Sequence, residues 1–306
     1  MYYHGLFYIS MDYQKSISFQ CTGCGKCCKH PPKMNFYEML ENGKIFIFQS
    51  VHNIKISSID NLIEKNKAEH LQKFSHTIAL PEYDLSLYYF IDFMPIILQT
   101  YESCPQLKNN LCSIYGSRPN RCRISPILFD YPENEQWKNI QWFSEKIKTE
   151  DWKCIITNED KNIIMKNNQI NAQLFRIYEN ELLAIRDITD RYVHYISINN
   201  EEAKNEHFKN LFYMSKKNGL IVSDTIPFLQ MANYYNIIDE KFGYLWIEQQ
   251  VELIKNELAQ SVKLKKKQNL QITRFYKKIF EHYQKILNEK NIFQTQNNLD
   301  FELYGA

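Results

Sequence analysis

Apolar residues recur at three- and four-residue steps through the second half of the chain. Leu174, Ile177, Tyr178, Leu182, Ile185, Ile188 and Tyr192 form one stripe; Ile247, Val251, Ile254, Leu258 and Val262 form a second; Ile272, Tyr276, Ile279, Tyr283 and Leu287 form a third. A repeat near 3.6 gathers each set on one helical face, so the spacing predicts three amphipathic helices. Between the first two, SKKNGLIVSD at 215–224 reads as a basic last turn, a glycine cap at Gly219, and Asp224 opening the next helix before Pro227. The first half is patterned differently. KIFIFQSVHNIKISS at 44–58 is rich in β-branched and aromatic residues and partly alternates, which predicts one or two short strands. LYYFIDFMPIIL at 87–98 is the most apolar stretch, but it is broken by Asp92 and Pro95. It is also shorter than the ~20 residues of a membrane span, so it reads as buried core. The polar ending QTQNNLDFELYGA is expected to be poorly ordered.

Composition divides the chain in the same place as the pattern. All eight cysteines lie between positions 21 and 154, and after Pro132 only Pro227 remains. The shift predicts a loop-rich cysteine unit over 1–157, carrying short strands, packed on a helical unit over 158–306. The expected class is α+β, mostly α-helical. A formal net charge of +2 provides no field that recruits nucleic acid or a membrane, and neither partner is expected. The run VKLKKKQNLQITRFYKK at 262–278, with seven basic residues and no acid, reads as a solvated helical face. The opening residues lack a basic segment leading into an apolar run and carry Asp12 instead, so a cytoplasmic location is expected. Thiols stay reduced there, which turns eight cysteines toward metal binding and away from disulfides.

The cysteines fall into two patterned groups. Cys21, Cys24, Cys27 and Cys28 form C-x2-C-x2-C-C, with Gly23 and Gly25 inside the first turns. An x2 gap bends tightly enough for two sulfurs to meet one metal at ~2.3 Å. Two adjacent cysteines rarely serve one ion, so Cys27 and Cys28 are expected to face different ways. Cys104, Cys112 and Cys122 follow at longer gaps that suit short loops folded back on one centre. All-sulfur ligation suits zinc or an iron–sulfur cluster, and seven or eight thiols exceed the needs of one zinc ion. His30, beside Pro31 and Pro32, reads as exposed. No P-loop, G-x-S-x-G or G-x-G-x-x-G occurs, which disfavours a Rossmann-type enzyme.

FQCTGCGKCC followed by CPQLKNNLCSIYGSRPNRCRISP resembles the YkgJ-type CxxCxxCC family of zinc- or iron-chelating domains. The family's second motif reads approximately C-P-x-L, then C-x-I-Y-x-x-R-P-x-x-C-R-x-x-P. Seven cysteines, with Ile114, Tyr115, Arg118, Pro119, Arg123 and Pro126, fall in register over about residues 19 to 130. The resemblance implies a metal held by Cys21, Cys24, Cys27, Cys28, Cys104, Cys112 and Cys122, with Cys154 added by proximity. It implies a cofactor-facing role for Tyr115, Arg118 and Arg123, since guanidinium groups neutralise an anionic thiolate cluster. Through flagellin lysine N-methylase, a relative similar in the cysteine motif, it further implies a [4Fe-4S] cluster. That relative also implies methyl transfer from S-adenosylmethionine to a lysine of a protein substrate. The alternative is a zinc-binding interaction, metal-storage or redox-sensing module. No catalytic residue is named by either reading.

Overall fold

A computed structural model describes residues 16–26, 28, 32–58, 69–73, 76–78, 87–97, 104–109, 111–129, 131–150, 152–159, 161–199, 208–210, 213, 221–223, 225–264, 270–293 and 303–304. The three predicted stripes become its three long helices. With short helices α1 (Phe36–Glu41), α2 (Asn120–Ile124) and α3 (Gln136–Thr149) preceding them, they are α4 (Ala172–Asn199), α6 (Glu240–Leu264) and α7 (Leu270–Glu289). Helix α5 (Ile226–Tyr234) lies between the first two. Tyr178, Leu182, Ile185, Ile188 and Tyr192 are buried along α4, and Ile247 and Ile254 along α6, as the stripe argument requires. Helical residues outnumber those in strands, and the class is α+β.

The strands are longer and more widely distributed than the sequence pattern suggested. Strand β1 (Ile17–Gln20) lies between β7 (Ile155–Thr157) and β8 (Ile163–Lys166), and β8 continues to β9 (Gln169–Ile170). A second sheet runs β11 (Leu303–Tyr304), β10 (Ile221–Ser223), β2 (Phe48–Ser58), β4 (Leu87–Ile97), β3 (His76–Ile78). Its centre is one eleven-residue antiparallel ladder from Phe48↔Ile97 to Ser58↔Leu87. The apolar stretch at 87–98 is thus a strand, and 44–58 holds a single long one. Pro95 is tolerated because, among the described residues, β3 pairs with Tyr89–Ile91 and does not reach it; Met34 lies on that side instead, and its N–H donates to the Pro95 carbonyl at 2.9 Å. The stretch after position 215 forms β10 before α5 begins behind Thr225. Gly219 and Asp224 lie outside the described residues, as do most of the polar ending, Cys27 and His30. A hairpin of β5 (Leu107–Lys108) and β6 (Leu111–Cys112) completes the strands.

Two apolar clusters hold these elements. The larger is aromatic and gathers Phe36, Phe46, Phe48, Tyr192, Phe228, Trp246, Tyr276 and Tyr283. Tyr192 and Phe228 stack with ring centroids 4.4 Å apart, a geometry that adds about 1 kcal/mol to the burial itself. Trp246 lies so close to Gly43 that a Cβ there would overlap its indole ring. Buried Gln250 closes the adjacent backbone: its Nε2 donates to the carbonyls of Gly43 (2.7 Å) and Phe46 (2.9 Å), and its Oε1 accepts the Phe48 N–H (2.9 Å). The smaller cluster contains Ile124, Ile127, Phe129, Ile140, Ile164, Met165, Tyr178, Leu182 and Ile185. Helix α4 belongs to both, the smaller cluster through Ile185 and the larger from Ile188 onward. Helix α2, which carries Cys122, packs on it.

Candidate metal centre

The first cysteine motif begins where β1 ends. Strand β1 pairs with β7 in the register Ser18↔Thr157, Phe19↔Ile156, Gln20↔Ile155. One further antiparallel step sets Cys21 opposite Cys154. The Thr22 hydroxyl extends the alignment by donating to the Lys153 carbonyl at 2.9 Å. Beyond it Gly23 (φ 73°) and Gly25 (φ 71°) adopt the left-handed backbone that side chains resist, and the chain turns tightly around Cys24. The Cys154 thiol consequently makes hydrogen bonds with both Cys21 and Cys24.

The pairing separates the acidities of Cys21 and Cys154. Cys21 is pulled below the ordinary thiol range, chiefly because Cys154 hydrogen-bonds its thiolate; burial opposes the shift, while the Gly23 N–H and the Arg118 charge assist it. Cys154 is pushed up, first by the same hydrogen bond and then by burial and the neighbouring sulfurs. Cys21 is therefore the more acidic thiol of the pair, with Cys154 opposite it across the ladder. None of Cys21, Cys24, Cys28, Cys104, Cys112, Cys122 and Cys154 is in a disulfide. Among the described residues no group of three or more His, Cys, Asp and Glu side chains is placed so that it could hold a metal ion as it stands.

The second motif reaches the first through main chain and charge. The Cys104 N–H donates to the Cys28 carbonyl at 2.8 Å, while Cys104 and Ile114 pack on the aromatic cluster. Cys112 is half-buried in the hairpin opposite Leu107, whose tight turn passes through Asn109 at φ 52°. A 3-10 turn over Tyr115–Ser117 follows. Arg118 folds back over it, with Nε donating to the Tyr115 carbonyl at 2.9 Å and the guanidinium 3.6 Å from the Tyr115 ring centroid. Tyr115 and Arg118 thus form one unit whose charge acts on Cys21. Cys122 lies half-buried on α2, and Arg123 is exposed on the same helix.

A polar cluster that the cysteine pattern does not disclose lies under α2. Glu181, 1% exposed on the buried stripe of α4, accepts through Oε2 from the side-chain amides of Asn35 (2.6 Å) and Asn120 (3.0 Å). Glu38 accepts the Asn120 N–H through Oε1 at 2.7 Å, while its own N–H is capped by Asn35 Oδ1 at 2.9 Å. Burial raises the proton affinity of both carboxyls, and Glu38 is pushed up to about 7 by burial and then by the Glu181 charge. The available signal was positional: Glu181 is a charge at a stripe position, three residues after Tyr178 and four before Ile185.

Residues 20–155 match the model of the CxxCxxCC family, described as a zinc- or iron-chelating domain. The match covers somewhat less than half of the chain and supports metal binding for this part of it. The match ends just beyond Cys154, so the residue opposite Cys21 lies within the domain. No curated protein and no solved structure matches the chain. No helix among the described residues is long and apolar enough to cross a membrane.

Proposed function

We propose that the chain binds one metal ion through Cys21, Cys24 and Cys154, with the second cysteine motif supplying the remaining thiolate, and that zinc is the preferred ion. The observation that carries this reading is the β1–β7 register, which sets Cys21 opposite Cys154 with Cys24 in the glycine turn just beyond. A tetrahedral ion with sulfur bonds of ~2.3 Å draws its thiolates into mutual contact. The lowered Cys21 thiol supports the same reading, because only the deprotonated sulfur ligates and Arg118 offsets part of the accumulating negative charge. Purification followed by metal analysis and an absorbance spectrum tests it. About one equivalent of zinc in a colourless protein agrees with the reading; a brown protein containing iron and sulfide replaces it with a cluster.

The second reading is a [4Fe-4S] cluster, favoured by the surplus of thiols and by the Cys104-to-Cys28 tie that brings the two motifs together. Methyl transfer from S-adenosylmethionine to a protein lysine belongs to that reading. Anaerobic incubation of the chain with labelled S-adenosylmethionine and candidate protein substrates tests it, and absence of label transfer counts against it.

A further inference from the structure

A buried carboxylate is costly unless its position gives something that packing cannot. Glu181 occupies a stripe position of α4 where an apolar side chain would add burial. It instead receives two amide hydrogen bonds, one of them from Asn120. Asn120 is gripped a second time at its main-chain N–H by Glu38. Two elements, α1 and α4, therefore hold the same residue. Asn120 opens α2, the five-residue helix that carries Cys122 two positions further on. A shift of Asn120 moves the Cys122 sulfur, because both residues lie in this one short helix.

We infer that Glu181 is a positioning residue for the metal centre, seating Asn120, with Glu38 as a second arm, so that α2 presents Cys122 to the centre. Glu181 lies outside the stretch matched by the family, so this chain's helical half contributes to the centre without touching the ion. The inference rests on the metal-centre reading above.

Cobalt(II), read by its thiolate charge-transfer absorbance, is the probe, and the full-length chain is used. Wild type is compared with Glu181→Leu, Glu181→Gln and Asn120→Ala. Glu181→Leu is expected to leave the thermal midpoint of the metal-free chain equal or higher, yet to weaken cobalt binding about tenfold, the scale of lost outer-shell support. Glu181→Gln, which keeps an acceptor oxygen, is expected to restore most of that affinity. Asn120→Ala is expected to reproduce the loss, and combining it with Glu181→Leu to add nothing further, because both remove one contact. A folded Glu181→Leu protein with wild-type cobalt affinity overturns the inference while leaving the metal centre standing. If Glu181→Leu does not fold, Asn120→Ala decides alone: unchanged affinity overturns the inference. Failure of the wild type to bind cobalt or zinc overturns the metal-centre reading and the inference together.

Discussion

The aromatic cluster around Trp246 and the cysteine corner around Cys21 and Cys154 are closed by different means. Around Trp246 the side chains exclude water themselves, and buried Gln250 satisfies all three backbone groups it meets. In the corner, Cys21, Cys24, Cys28, Cys104, Cys112 and Cys122 are only half-buried, and the segments are joined by single main-chain bonds and amide clasps. Apolar packing stabilises the first region without help. The second is arranged so that a ligand contributes what packing does not, as in small domains whose metal affinity is part of their folding energy.

Four substitutions test that contrast. Trp246→Ala removes the largest fully buried side chain and is expected to cost about 4 kcal/mol in urea unfolding, with or without metal. A loss confined to the metal-loaded protein would erase the distinction between the regions. Gln250→Ala strands two carbonyls and one N–H in the same cluster and is expected to cost about 3 kcal/mol, again independently of metal. Cys154→Ser should do the reverse, lowering cobalt affinity about 100-fold, or about 2.7 kcal/mol, with little change in metal-free stability. Titration by charge-transfer absorbance gives the first quantity and urea unfolding the second.

The smallest effect concerns Glu38. Its carboxyl rises from 4.5 in the unfolded chain to about 7 in the fold, so the native state keeps a proton that unfolding releases. Stability therefore falls as pH climbs from about 4.5 to about 7 and levels off above that, by about 2 kcal/mol. Glu38→Gln carries no titratable group and should flatten this slope. Wild-type and variant unfolding curves at pH 5 and pH 7.5 give the comparison, and identical slopes would remove Glu38 from the clasp.

Much of this contrast was legible in the residues. The helices followed from their stripes because the larger cluster needs only a continuous apolar face, and C-x2-C with two glycines foretold a tight sulfur-bearing turn. Strand β4 was hidden because its near-uniform apolarity has no period, and Asp92 and Pro95 look like interruptions until β3 is seen to pair with Tyr89–Ile91, short of Pro95. Strand β10 was hidden because the segment before it reads as a helix cap. Cys154 could be assigned only by proximity in the chain; its position beside Cys21 is set by the β1–β7 register between segments far apart in sequence. The Glu38–Glu181 clasp depends on three helices meeting, a condition that no local pattern encodes.

That register makes ligand geometry a matter of counting. Alternate residues of a strand point to opposite faces, so one residue inserted between Phe19 and Cys21, or deleted from the approach to Ile155, would swing one sulfur to the wrong side of the sheet while leaving every cysteine present. For variants of this domain, the phase of the strand leading into the motif constrains function as tightly as the motif's own spacing.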